Sequence, residues 1–304
     1  MNRFQNKISV LDHGHVQLLN IAGPTRRIWS KEIPDNWFLP YDEMDVFDAD
    51  DVDPAQVARI SFDNYDKERS REDDLKLYEY LVANWHNTPV EMIETWWHMQ
   101  MPIFVARQVV RHRTAAINEV SARYAVLPET WYIPEDKNVG IKGGSNKQGR
   151  LLLWEELSTE QQDIIVKFRY KLDDTCQEAY NEYLYYLNAG IAPELARCFL
   201  HVNHYTHWIY KMDLHNLMHF MSLRCDAHAQ WEAQQYGNAV YTILKQHLPK
   251  SMELFDTYRR KATPEELSHL RDALSLIKYH KNGMDRPDES LETVKKFFKR
   301  LGVR

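Results

Sequence analysis

The sequence predicts an α+β fold: a mixed β-sheet flanked by long helices, in one domain. Three observations carry that expectation. Residues 92–101 alternate, with Ile93, Thr95, Trp97, Met99 and Met101 on one face and Glu94, Trp96, His98 and Gln100 on the other, which is the period of a strand with both faces partly covered. Residues 159–188 read as one long helix, capped near Ser158 or Thr159 and ended by Gly190. Residues 212–246 read as one or two further helices. The chain has 304 residues, of which 44% are hydrophobic, enough to bury a sizeable core.

The other elements follow in order. Residues 8–20 alternate loosely, with Ile8, Val10, Val16 and Leu18 around Gly14, as a hairpin does. Residues 24–52 form an irregular insert with Pro24, Pro34, Pro40 and many acidic residues. The run Asp48 to Asp53 resembles a calcium loop but lacks the glycine and distal glutamate in register. The better reading makes Asp53 an N-cap and Pro54 the first residue of a helix through Ile60. Pro102 opens a helix of about three turns, which would carry Gln108, Arg111 and His112 at its C-terminal end. Pro193 opens a short helix with Glu194 and Arg197. We place the main domain at residues 1–262. Beyond it, Thr263-Pro264-Glu265-Glu266 is a capping box for a helix to about Tyr279. A basic helix from about Leu291 to Arg300 completes a helical extension, 263–304, to which we assign no catalytic role.

The formal net charge is −6 and the isoelectric point about 6.2. That balance counts against a nucleic-acid polymer as partner. Three cysteines, Cys176, Cys198 and Cys225, are too few and oddly numbered for a disulfide framework. No apolar run approaches membrane-spanning length, and Met1-Asn2-Arg3-Phe4-Gln5 carries no apolar signal core. A cytoplasmic setting without membrane association is the expectation.

The densest chemistry lies at Arg111-His112-Arg113, with seven residues between Arg113 and Ser121, then Ala122-Arg123-Tyr124. Arginine makes bidentate bonds to phosphate and stacks on flat rings, so this density suits an anionic, planar ligand. The bland alternative is a solvated basic helix end.

This pattern resembles the signature of the flavin-dependent thymidylate synthases. The similarity extends to His86-Asn87-Thr88-Pro89-Val90-Glu91, to Pro102-Ile103-Phe104-Val105-Ala106-Arg107-Gln108, to Ser145-Asn146-Lys147-Gln148-Gly149-Arg150, to Asn216-Leu217-Met218-His219-Phe220 and to Leu223 through Gln230. It covers about residues 8–260, with interruptions. Several motifs in order are far more specific than any one.

The resemblance implies reductive methylation of dUMP to dTMP. Methylenetetrahydrofolate would give the carbon, and FAD reduced by NADPH would give the hydride. It implies a homotetramer with active sites between subunits. It implies Arg224 as the catalytic group over the pyrimidine. Gln108, Arg111, Glu119, Val120, Ser121, Ala122, Arg123, Arg197 and Arg224 would hold dUMP. His86, Thr88, Arg111, His112, Arg113, Glu119, Asp213, His215, His219 and His228 would contact FAD. Some family members carry asparagine where this chain has Asp213 and His219, which changes the donors offered there. No G-x-G-x-x-G fingerprint is present, so the expected dinucleotides are not bound in Rossmann fashion.

Three other chemistries compete. Cys198 follows Arg197 and Cys225 follows Arg224, and neighbouring arginines can lower a thiol pKa; a free cysteine is more often a small buried hydrophobe. Ser121 could be a nucleophile, but no Asp-His pair is placed to activate it, and a serine at a phosphate site is commonly a donor. His215 and His219, with Asp226 and His228, have a spacing that could hold a metal, though no HExxH glutamate accompanies them. We expect no metal. The rival functions are a metal-dependent nucleotide hydrolase and a non-catalytic nucleotide- or RNA-binding module.

Overall fold

The computed structural model describes residues 6–24, 49–62, 69–142 and 154–260, with residue 268 alone beyond them. Most of the irregular insert, the 145–150 loop and the C-terminal helices lie outside the described residues.

A hairpin opens the fold, as expected around Gly14: β1, Lys7–Val10, pairs with β2, Gly14–Ala22. Next come α1, Asp53–Ala58, α2, Arg71–Ala83, and α3, Thr88–Glu91. The central strand β3, Glu94–Pro102, leads into α4, Ile103–Val109, and then β4, Ala116–Glu119. The long helix α5 spans Thr159–Asn188 and α6 spans Pro193–Ala196. The last strand, β5, Tyr205–Asp213, runs directly into α7, Leu214–Arg224, followed by α8, Trp231–His247, and α9, Pro249–Leu254.

The five strands lie in the order β1-β2-β3-β5-β4, and every pairing is antiparallel. The expected mixed sheet is therefore corrected to an antiparallel one. The reason is visible on β3. Thr95, Trp97, Met99 and Met101 are buried while Glu94, Trp96, His98 and Gln100 are half-buried, the one-sided covering that antiparallel sheets tolerate and parallel ones rarely show. Trp97 sits opposite Leu18 on β2 and Tyr210 on β5. These side chains meet Leu217, Met218, Phe220 and Met221 of α7 and Tyr236, Val240, Ile243 and Leu244 of α8 in one core. Each fully buried Leu, Met or Phe contributes about 1.5–3 kcal/mol. The opposite face of the sheet is polar: His15, His98 and His207 form a hydrogen-bonded row, with N···N distances of 3.1 and 3.3 Å.

α5 matches its expected limits. Ser158 accepts from the Gln161 amide while the Gln161 side chain accepts from the Ser158 amide, a complete capping box. Gly190, at φ +91°, supplies the left-handed residue past its end. Three elements differ from expectation. Val52, not Asp53, is the N-cap of α1; Asp53 is its first helical residue. α4 has only seven residues, with Pro102 as its N-cap, so Arg111 and His112 lie in the turn beyond it and not on its last turn. β5 was not anticipated, although Tyr205, Trp208, Tyr210 and Met212 bury while His207 and Ile209 face out; aromatic and β-branched residues favour that pleated setting. No described helix is long and apolar enough to cross a membrane.

Candidate active site

β5 and α7 position the centre of the site. Asp213 ends the strand and caps the helix: its Oδ1 accepts from the Asn216 amide at 2.9 Å and its Oδ2 from the Asn216 side chain at 2.7 Å. Asparagine and aspartate both serve as N-caps, so either residue could fill this capping role. His215 and His219 then follow on one side of α7, and Arg224 is its last residue.

α7 meets the signature turn at Arg224. Its Nε donates to His112 Nε2 at 3.1 Å, and its Nη2 donates to the Gln108 carbonyl at 2.7 Å. The guanidinium is half-buried, and burial lowers its pKa from the ordinary value. Behind it, α8 approaches closely through Gly237. A Cβ there would stand 3.0 Å from the Arg224 carbonyl carbon and 3.1 Å from both the Arg224 Cβ and the Cys225 Sγ. Glycine thus lets two helices pack where the guanidinium is held.

His112 is 7% exposed and packs edge-on against Phe220, centroids 5.0 Å apart, and His219, 6.0 Å apart. Its pKa is pushed down to about 4 from 6.5, first by burial and then by Arg224 and His219. The bond from Arg224 requires a neutral ring with its proton on Nδ1. The folded pKa lies below the unfolded one, so the unfolded chain binds the proton first as pH falls. Stability from this group is complete above about pH 6.5 and is lost as pH falls towards about 4. His112→Gln can still accept from Arg224 but cannot titrate. Proton uptake on unfolding at pH 5 should therefore drop by about one in that variant. Unfolding curves at pH 5 and 7.5 check this; an unchanged pH dependence would refute it.

The other expected residues fall into separate groups. Arg111 and Arg113 are exposed in the turn on either side of buried His112. Glu119 ends β4 and accepts from the Thr206 hydroxyl. The Val120 amide donates to the His207 carbonyl at 2.9 Å, which ties the signature strand to β5. Ser121 Oγ accepts from the Arg123 amide at 3.3 Å, and Ala122 is buried beside it. Exposed Arg123 lies 3.7 Å from Glu194, and Arg197 Nε donates to the Glu194 carbonyl at 3.2 Å. Among the described residues, the guanidiniums of Arg123 and Arg197 meet Glu194, while that of Arg224 donates to His112 and Gln108. His86 stacks on Tyr80 at 6.1 Å, with Thr88 exposed at the start of α3. His215 has its pKa lowered by burial and by Arg259, against Glu91 and Asp213. Exposed His228 pairs with Asp226 at 2.9 Å. The expected set thus comprises a core of Gln108, His112, His219 and Arg224 and several outlying patches.

The family model described as thymidylate synthase complementing protein matches residues 44–250. A flavin-dependent thymidylate synthase from Ehrlichia ruminantium (strain Gardel) is 38% identical over 264 residues, covering 84% of each chain. One from Gluconobacter oxydans (strain 621H) is also 38% identical, covering 73% of this chain and 74% of that one. The chain belongs to the flavin-dependent thymidylate synthase family. A crystal structure of the UMP/dUMP methylase PolB from Streptomyces cacaoi, bound with 5-Br dUMP, shares the fold, with a TM-score of 0.63 at 24% identity over 82% of this chain and 97% of that one.

The competing chemistries gain nothing from the geometry of this family member. Cys225 lies beside Arg224 in sequence, yet burial pushes its thiol up to about 12, the wrong direction for a nucleophile. Among the described residues, no group of three or more His, Cys, Asp or Glu is arranged to hold a metal ion. Ser121 Oγ engages its own turn, without a described histidine partner. The donor set does fit a flavin nucleotide: exposed guanidiniums at Arg111 and Arg113 for a diphosphate, and His112 and His219 rings edge to face beside them. Sequence reasoning missed the roles of Gln230, which accepts from Gln108, of Glu232, which accepts from Gln230, and of Tyr132, which donates to Glu232. The available signal was the pair of polar residues flanking Trp231 at a helix start.

Proposed function

We propose that this protein is a thymidylate synthase that methylates dUMP to dTMP, with methylenetetrahydrofolate as carbon donor and FAD reduced by NADPH as hydride source. One observation carries the reading: the signature turn and the C-terminal helix, 112 residues apart in sequence, join through the Arg224–His112 hydrogen bond. Family membership supports it, and the fold is the one shared with the UMP/dUMP methylase.

Residues Arg111, His112, Arg113, Glu119, His215 and His219, with His86, Thr88, Asp213 and His228 at the margins, would hold FAD. When bound there in its reduced form, the flavin would supply a hydride equivalent. The chain's own residues do the rest. Arg123, Arg197 and Ser121, with the backbone at Val120 and Ala122, bind the nucleotide, chiefly its phosphate. Gln108 and Arg111 complete that clamp. Arg224 faces the pyrimidine and stabilises negative charge that develops on the ring, so no cysteine adduct is required. Arg123 and Arg197 meet at Glu194 and not at Arg224, which supports a site completed by a second subunit in a homotetramer.

Ser121→Ala should weaken dUMP binding by several-fold, the worth of one hydrogen bond, and retain turnover. Loss of all turnover with flavin and dUMP bound would restore the nucleophile reading. The function itself is tested by visible absorption of the purified protein loaded with FAD and titrated with dUMP. Flavin bands that shift and saturate with dUMP are expected. Absence of flavin binding would overturn the assignment.

A further inference from the structure

We propose that Glu232 is a positioning residue for dUMP binding, acting through Gln230 to fix the side-chain amide of Gln108. This rests on the reading that Gln108 touches dUMP.

Glu232 lies in the first turn of α8 and is 1% exposed. A negative charge at a helix N-terminus is favourable, which offsets part of the cost of burying it. Tyr132 donates its hydroxyl to Oε1 at 3.2 Å, and Gln230 donates Nε2 to Oε2 at 2.9 Å. Gln230 Oε1 in turn accepts from Gln108 Nε2. The Gln108 backbone carbonyl accepts from Arg224, which closes the chain on the centre of the site.

The direction of this relay follows from elementary chemistry. A carboxylate offers only acceptors, so Gln230 must turn its amide nitrogen towards Glu232. Its oxygen then faces Gln108, which must present nitrogen in reply. One buried charge thereby selects one of two rotations for two successive amides. Both amides end on flexible side chains, and Gln230 is exposed. Without the carboxylate, neither rotation is preferred and the outward face of Gln108 alternates between donor and acceptor. A ligand would then select from a mixed population and bind more weakly.

The test uses full-length protein loaded with FAD, with dUMP dissociation constants from equilibrium dialysis of radiolabelled dUMP. Glu232→Leu and Gln230→Leu should each raise the dissociation constant about tenfold, the worth of a charge-assisted hydrogen bond. Glu232→Gln keeps an acceptor for Gln230, with Tyr132 able to reverse its hydroxyl, and should stay within about threefold of wild type. In a Gln108→Ala background the Glu232→Leu effect should vanish, because the amide it orients is gone. A merely structural role would leave that effect in place. Gln230 is exposed, so Gln230→Leu carries the test even where Glu232→Leu fails to fold. Unchanged affinity in the leucine variants, or an equal loss in the Gln108→Ala background, overturns the relay. Wild-type protein that fails to bind dUMP overturns instead the functional reading beneath it.

Discussion

Arg224→Lys should bind dUMP within a few-fold of wild type and lose turnover by a factor of about a hundred to a thousand. The geometry sets that expectation. The guanidinium is anchored at two points, Nε on His112 and Nη2 on the Gln108 carbonyl, so its plane is fixed before any ligand arrives. A fixed cation facing developing charge lowers a barrier by about 3–4 kcal/mol in a water-poor site. Lysine keeps the charge but has one nitrogen on a flexible stem. It cannot satisfy both anchors and hold a defined plane. Binding survives because the other arginines of the clamp are untouched. Steady-state turnover and a dUMP titration of the same preparation make the comparison. Near-normal turnover would remove Arg224 from the chemistry.

Asp51→Ala should destabilise the fold by about 3–5 kcal/mol, the cost of orphaning buried donors. Asp51 is 2% exposed, and its carboxylate accepts from the Lys250 amide at 2.8 Å, the Ser251 amide at 2.8 Å and the Ser251 hydroxyl at 2.6 Å. It therefore caps α9 from 200 residues away in sequence. The Ser251 hydroxyl also contacts the fully buried Tyr78 hydroxyl at 2.9 Å. Alanine leaves two first-turn amides of α9 without this acceptor. Asp51→Asn keeps one acceptor oxygen and should cost roughly half as much. Urea unfolding of the three proteins is the measurement, and a loss below about 1 kcal/mol for alanine would show the cap replaced by solvent.

Asp51 also shows where sequence reading stops. It stands in the acidic run weighed as a calcium loop, and nothing local says that its partner is Ser251. The same holds for Arg224, whose anchors come from α4 and the turn that follows it. By contrast, the limits of α5 were legible with only its cap left between Ser158 and Thr159, because a capping residue and a terminal glycine are local signals. The hairpin around Gly14 and the strand after Ile93 were legible for the same reason. β5 escaped because its aromatic alternation abuts a helix start without a turn between them. The helix after Pro102 was drawn too long because its apolar pattern continues through Val110, although the chain turns there.

By itself the sequence determined the residue types of the site and the local frame that carries them. The signature arginines, the capped helices and the one-sided strand are written in spacing, since dihedral preference and periodicity act over a few residues. Only the tertiary structure decided that the sheet is antiparallel, that His112 is buried and neutral under Arg224, and that Glu232 stands behind Gln108. Those outcomes depend on hydrogen bonds and burial between segments far apart in the chain, more than a hundred residues for the Arg224–His112 and Gln108–Gln230 bonds and the β3–β5 pairing, and no local pattern encodes the partner of a buried charge.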